Sequence, residues 1–162
     1  MEIIIRKAVK EDLPLLLTFE QGLITAERPF DPTLRDGEVH YYDIAKMIEA
    51  EHIEVAVAVA GDKIVGSGYA RIEPASRPYL KHDKHAYLGF MYVDPSYRGK
   101  GINGKILAFL KEWAYLQDML ELRLNVYSDN EGAVRAYEKA GFKRHLIEMR
   151  MDLRDDPTYL AQ

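Results

Sequence analysis

Apolar positions along the chain change their spacing several times, and each change marks an element. Glu2 to Lys7 is β-branched and apolar, which predicts a first strand. From Glu11 to about Thr25, Leu13, Leu16, Leu17 and Ile24 recur on one helical stripe, with Pro14 tolerated in the first turn. Arg28 to Gly37 carries two prolines and a glycine and ends that helix; a second helix is expected over Glu38 to Glu51. The period then shortens. Ile53 to Ala60 and Lys63 to Ile72 are strand-like runs joined by Gly61-Asp62, a two-residue hairpin signal, and after a loop from Glu73 to Asp83 a third run covers His85 to Val93. Three consecutive antiparallel strands are expected. Beyond Pro95, the residues Ile102, Ile106, Phe109, Leu110 and Trp113 make one helical face suited to packing on a sheet. Leu120 to Tyr127 predicts another strand. Asn130 to Ala140 predicts a short helix, with Ser128 and Glu131 spaced as a capping box, Ala133, Ala136, Tyr137 and Ala140 facing inward, and Gly141 as its stop. Phe142 to Leu153 predicts a closing strand.

No repeat or linker divides this order, so residues 1–153 are expected to form one domain and 154–162, RDDPTYLAQ, a loose tail. With 162 residues, 48% apolar and 30% charged, the composition is that of a globular protein with a single core. No run approaches the roughly 18 apolar residues of a membrane span, and MEIIIRKAV turns to charge too early for a signal peptide, so a cytoplasmic location without membrane association is expected. The chain has no cysteine, which removes disulfides, thiolate metal sites and cysteine nucleophiles together. A net charge of −4 speaks against a nucleic-acid partner and is compatible with a cationic small substrate.

The stretch SYRGKGINGK, Ser96 to Lys105, has the spacing G-x-x-x-x-G-K of a nucleotide-binding P-loop, but Ile106 stands where the magnesium-ligating Ser or Thr is required. A Walker site also belongs in a parallel sheet with an acidic magnesium ligand, and the strands before this loop read as antiparallel. A pyrophosphate that needs no metal fits better. Gly99, Gly101 and Gly104 keep the backbone bare at a helix start, and Arg98 and Lys100 add positive charge. Taken alone, the glycines fit a plain connector equally well.

Two longer matches decide between these readings. YVDPSYRGKGINGKIL, Tyr92 to Leu107, resembles the acetyl-CoA signature [Q/R]-x-x-G-x-[G/A] of the GNAT (GCN5-related N-acetyltransferase) family, with Arg98 and Gly101 matching. Asn103 departs from it, since Gly or Ala is usual there; its side chain either crowds the phosphates or helps to bind them. NEGAVRAYEKAGF, Asn130 to Phe142, resembles the family's N-x-x-A-x-x-x-Y-x-x-x-G-F helix. The resemblance implies an α+β fold with a mixed, mostly antiparallel sheet, flanked by about four helices, in which parallel strands four and five splay apart. It further implies acetyl-CoA as cofactor, its pantetheine arm in that gap beside the main chain of Met91 and Val93. The pyrophosphate would lie on Arg98, Gly99, Lys100, Gly101, Ile102, Asn103 and Gly104, with Asn130 as a further contact or a helix cap.

The activity implied is N-acetyl transfer to a primary amine of a small molecule or peptide, by direct attack in a ternary complex. Tyr137 matches the family tyrosine that gives a proton or hydrogen bond to the coenzyme A sulfur; the helix pattern by itself makes it a core residue. Many members carry a basic glutamate on the fourth strand, at the position held here by Tyr87. A phenol titrates at about 10 and is a poor base at neutral pH. His85 on the same strand, Tyr127 or a water chain are the other candidates. His82, Asp83 and His85 lack the further donors a metal needs, so no metal is expected. The acceptor region holds Glu20, Glu27, Arg28, Phe30, Asp31, Asp36 and Tyr41, whose carboxylates and aromatic rings suit an ammonium. The other function in view is a non-catalytic acetyl-CoA sensor, and a monomer or a homodimer is expected.

Overall fold

A computed structural model describes residues 1–160, arranged as two compact units, Met1–Asn130 and the described residues from Glu131 onward. The larger unit is built on a five-stranded sheet in the order β1-β2-β3-β4-β5: β1 (Ile3–Lys7), β2 (Ile53–Ala60), β3 (Lys63–Pro74), β4 (Lys84–Val93) and β5 (Leu122–Arg123). The first four strands pair antiparallel, whereas β4 and β5 run parallel. Gly61, at φ 65, makes the tight β2–β3 turn that the sequence predicts. This is the mixed α+β arrangement expected above, with α1 (Leu13–Glu27), α2 (Ile44–Glu49) and α3 (Ile102–Leu116) in the same unit.

The two faces of the sheet are chemically different. One carries Val55, Val57, Tyr69 and Phe90, packed with Leu16 and Phe19 of α1 and Ile44, Met47 and Ile48 of α2. The other is lined by small residues in register, Ala56 opposite Gly68 and Ala58 opposite Gly66, and α3 closes onto it. A Cβ at Gly68 would stand 2.8 Å from Ile106 Cγ2, so the glycine is what lets the helix approach.

Local chemistry explains the helix limits. Asp12 accepts from the Val9 amide at 2.8 Å and from both Arg6 terminal nitrogens at 2.7 and 3.0 Å, and α1 starts directly after it with Pro14 in its first turn. Leu17, expected on the buried stripe, is exposed, and Phe19 and Glu20 are buried in its place. On α3 the buried face includes Leu107 and Ala114, with Phe109 and Trp113 at its half-buried margin. The helix expected over Glu38 to Glu51 is confined to Ile44–Glu49, capped by Asp43, because a carboxylate from α1 holds the backbone before it in a non-helical path. The strand expected over Leu120 to Tyr127 shrinks to two residues, and no described helix is long and apolar enough to cross a membrane.

The C-terminal unit contains α4 (Glu131–Lys139). Its end is a Schellman turn: Gly141 adopts φ 106, the Phe142 N–H donates to the Tyr137 carbonyl at 3.0 Å, and the two rings meet edge-on at 5.9 Å. Val134 is the buried position of this helix, whereas Ala136 and Ala140, expected inside, are exposed. The closing strand expected over Phe142 to Leu153 is absent among the described residues: a strand needs a ladder partner, and the sheet ends at β5. Leu146, Ile147, Met149 and Met151 of this run are exposed. The tail holds a short 3₁₀ turn at Leu153–Asp155, capped by Asp152, and its last two positions, Ala161 and Gln162, lie outside the described residues.

Candidate active site

The sheet opens where β4 outruns its parallel neighbour. Pairing with β5 is limited to Ala86 with Leu122 and Tyr87 with Arg123, and the remainder of β4, to Val93, has no strand on that side among the described residues. Parallel edges left bare in a core are rare, because backbone groups need partners. A bulge lies in the opened stretch. The β3–β4 register shifts between Ser67 and Tyr69, and Phe90 sits at φ 55, a conformation that costs a non-glycine residue on the order of 1–2 kcal/mol. It is held there by burial of the ring, by the Ser67 hydroxyl donating to the Phe90 carbonyl at 3.0 Å, and by Tyr42, whose ring packs at 5.2 Å. The bulge resets the alternation. Tyr87, Phe90 and Tyr92 all face the α1 and α2 side, and Met91 turns toward Gly68 beneath α3. The Val93 carbonyl, at the end of the opened edge, accepts from Arg98 Nε at 3.1 Å.

The chain then makes the glycine turn. Asp94 caps the 3₁₀ turn Pro95–Tyr97, accepting from the Ser96 amide at 2.9 Å. Gly99 and Gly101 follow at φ 76 and 74, and Gly101 is the N-cap of α3. The first amide bonded within the helix is that of Lys105, to the Gly101 carbonyl at 3.2 Å, so the N–H groups of Ile102, Asn103 and Gly104 lack helical partners. Nothing lies within 4 Å of where a Cβ would stand on Gly99, Gly101 or Gly104. The protein itself does not use that space. Ile102 contributes only backbone here, since its side chain is buried, while Asn103 is half-buried. Arg98 and Lys100 are exposed beside the turn, and Lys63, which no motif in the sequence singles out, joins Lys100 over the Tyr97 ring at 5.5 and 4.9 Å. Bare amides, open volume and three cations fit a diphosphate.

On the α1 and α2 side, long-range contacts assemble a third group. Glu20 is fully buried, and its carboxylate accepts from the amides of Tyr41 and Tyr42 at 2.9 and 2.8 Å and from His40 Nδ1 at 2.8 Å. It therefore fastens the loop and does not line a pocket. Arg28 is likewise spent on the carbonyls of Arg35 and Gly37, and Asp36 is exposed. Glu27, Phe30, Asp31 and Tyr41 do come together, with Tyr127 from beyond β5 completing the cluster. The Tyr41 hydroxyl donates to Glu27 at 3.4 Å and that of Tyr127 to Asp31 at 3.2 Å, and Phe30 stacks on Tyr127 at 6.1 Å. Burial raises Glu27 above the usual carboxylate range, opposed by the Tyr41 hydrogen bond and assisted by Asp31.

Tyr87 and His85 share the sheet face with Arg71 and Glu73. Arg71 lies over the rings of Tyr69 and Tyr87 at 5.3 and 5.7 Å and bonds Glu73 at 2.6 and 2.9 Å; buried His85 places Nε2 3.4 Å from the same carboxylate. Burial pushes the Tyr69 phenol up to about 12, and pushes Tyr87 upward too, against a hydrogen bond from the Asn125 backbone. Tyr41 and Tyr42 are raised further, again first by burial. Asn130 ends the larger unit with its N–H on the Tyr127 carbonyl at 2.9 Å. Tyr137 lies half-buried on α4 of the C-terminal unit.

Known proteins resemble this chain in sequence or in fold. The mycothiol acetyltransferase of Geodermatophilus obscurus is 29% identical over 134 residues, covering 80% of this chain but 38% of that protein. The chain spans less than two-fifths of the length of the curated relatives it matches. Among solved structures, a mutant of the BH1408 protein from Bacillus halodurans superposes with a TM-score of 0.84 at 20% identity, covering 93% of this chain and 99% of that one. A predicted acetyltransferase from Clostridium acetobutylicum, solved with acetyl-CoA, superposes with a TM-score of 0.68 at 19% identity over 96% of this chain and 99% of its own. The profile of the Acetyltransferase (GNAT) family matches residues 21–142, and the chain belongs to that family.

Proposed function

We propose that this chain transfers an acetyl group from acetyl-CoA to a primary amine of a small molecule or peptide, by direct attack in a ternary complex. The observation that carries this reading is the opened β4 edge leading into a glycine turn with open space at the Cβ positions of Gly99, Gly101 and Gly104. Main-chain groups of Met91 and Val93 take the pantetheine arm as a strand would be taken. The amides from Gly99 to Gly104, including Ile102 and Asn103, hold the pyrophosphate, with Arg98, Lys100 and Lys63 supplying charge and Asn130 a further contact. Displacing Arg98 Nε from the Val93 carbonyl frees that acceptor for the arm and the guanidinium for phosphate. Tyr137 gives the proton to the departing thiolate.

The acceptor amine enters from the α1 and α2 side, where Glu27, Asp31 and the rings of Phe30, Tyr41 and Tyr127 suit an ammonium. Tyr87 and His85 stand on the sheet beneath it. With its phenol raised by burial, Tyr87 acts as a hydrogen-bonding group, and His85, held by Glu73, positions that carboxylate and Arg71. The test is thiol release from acetyl-CoA with spermidine, kanamycin and a lysine-containing peptide. Acceptor-dependent release is expected. Saturable acetyl-CoA binding without release to any amine would make the protein a binding module instead.

A further inference from the structure

We propose that Glu27 takes the proton from the ammonium of the acceptor, so that it is the general base of the transfer. The inference rests on the acetyltransferase reading above and assigns the one role which that reading leaves without an owner. Other non-exposed carboxylates of the larger unit are engaged: Asp12 by Arg6, Glu54 by Lys7, Glu73 by Arg71 and His85, Glu121 by Arg123, Glu20 by two amides and a histidine. Asp94 caps a turn, and Asp31 accepts from the Thr33 amide at 2.9 Å and from Tyr127. Glu27 alone is half-buried with a single long hydrogen bond, 3.4 Å from the Tyr41 hydroxyl, and no ion pair among the described residues.

Its position makes this worse. It is the last residue of α1, where the helix dipole disfavours negative charge, and Asp31 adds repulsion. The neighbouring Arg28, which would neutralise it, reaches away to the carbonyls of Arg35 and Gly37. A carboxylate kept in a place that burial, the helix dipole and Asp31 oppose, with one long hydrogen bond in its favour, points to a functional demand. The ammonium of an acceptor would satisfy it.

The titratable groups whose charge acts on Glu27 are Tyr41, which also donates to it, and Tyr42 on the loop before α2, Tyr87 on β4 and Asp31 after α1. Burial holds the three phenols protonated through the neutral range, so among these groups the proton acceptors are carboxylates. In the reaction, the Glu27 carboxylate removes one proton from R–NH₃⁺, leaving a neutral amine whose lone pair attacks the thioester carbon. The C–N bond forms, the C–S bond breaks, and sulfur leaves with a proton from the Tyr137 phenol. The nitrogen sheds its second proton, which restores that phenol through solvent, and Glu27 returns the first to the medium.

The test compares the unaltered protein with Glu27→Gln and Glu27→Asp, using whichever of spermidine, kanamycin or the lysine peptide is acetylated. For Glu27→Gln, turnover is expected to fall about 10²- to 10³-fold and the acidic limb of the pH–rate profile to disappear, with acetyl-CoA binding unchanged. Glu27→Asp should recover part of the rate. With an acyl hydrazide, already neutral at the assay pH, the Gln variant should come within about tenfold of the unaltered protein, because no proton has to be removed first. Its urea midpoint should rise, since an uncompensated charge is gone. Unchanged turnover, a loss confined to KM, an equal loss on the hydrazide, or a lower urea midpoint would each overturn the assignment. If the unaltered protein acetylates none of the amines, the acetyltransferase reading falls first and this inference with it.

Discussion

Replacing Glu20 by alanine should separate the acceptor side from the cofactor side, and its cost can be worked from the contacts. The carboxylate is fully buried and accepts from the amides of Tyr41 and Tyr42 at 2.9 and 2.8 Å and from His40 Nδ1 at 2.8 Å. Without it two backbone N–H groups lose their partner in a dry setting, at about 1–3 kcal/mol each, and the truncated side chain leaves a void. A total loss of about 3–6 kcal/mol follows, a large part of the roughly 5–15 kcal/mol that a domain has in hand. Glu20→Gln keeps one acceptor oxygen and should lose less, about 1.5–3 kcal/mol. Urea unfolding followed by the fluorescence of Trp113, the single tryptophan and a residue of α3 in the same unit, reads both values. With the loop loosened, Tyr41 and Tyr42 lose their places, so KM for the amine should rise while acetyl-CoA binding persists. A loss below about 1 kcal/mol for the alanine variant would mean that these amides find water, and the account of the loop would be wrong.

The remaining predictions concern pH, packing and the cofactor. His40 is raised above its ordinary value, chiefly by its hydrogen bond to Glu20; its contribution is therefore complete below about 6.5 and lost as pH climbs through the elevated folded-state value, and the urea midpoint should show a decline there that His40→Ala abolishes. Gly68→Ala should lower stability by about 1–3 kcal/mol in the same urea experiment, because the new Cβ would meet Met91 Sδ at 2.6 Å and Ile106 Cγ2 at 2.8 Å. Gly104→Ala should do the opposite, raising stability by about 0.5–1 kcal/mol as a better helix former in open space, yet weakening acetyl-CoA in calorimetric titration because its Cβ enters the open volume proposed for the phosphate. Tyr137→Phe should cut turnover about tenfold or more with little change in acetyl-CoA affinity; unchanged turnover would remove the hydroxyl from the reaction.

Periodicity and turn chemistry made most of the fold readable. The Gly61-Asp62 hairpin, the Pro14 helix start and the Gly141 stop are local signals, and each appears where the spacing puts it. What the sequence obscured was decided at long range. Glu38 to Tyr42 holds no proline or glycine that would stop a helix, but amides that would enter one are taken by Glu20, 22 residues upstream of Tyr42. Leu17 fits the apolar stripe of α1, yet burial went to Phe19 and Glu20, the latter because its carboxylate had amides to satisfy. Regular alternation on β4 would put Gly89 beside Tyr87, and only the bulge, with Phe90 at φ 55, brings Phe90 and Tyr92 to that face. The run after Phe142 alternates as a strand should, but alternation states which face is apolar and not whether a partner is present.

The same division runs through the candidate site. The proposed cofactor side consists of backbone in consecutive residues, Gly99 to Gly104, whose freedom glycine spacing records directly, so a short motif is enough to point to it. On the acceptor side the side chains come from separate elements: Tyr127 reaches Asp31 across 96 positions, and Glu27 is defined by what it lacks. No spacing rule encodes a missing ion pair. Glu27 could be listed from the sequence among several acidic residues, but only with neighbours in place does it differ from Glu20, which is buried and satisfied. Because the two sides are held by different elements, changes among Glu27, Asp31 and Tyr41 should alter which amine is accepted while leaving the grip on acetyl-CoA intact, and a Glu27 variant that lost both together would show the two sides to be one.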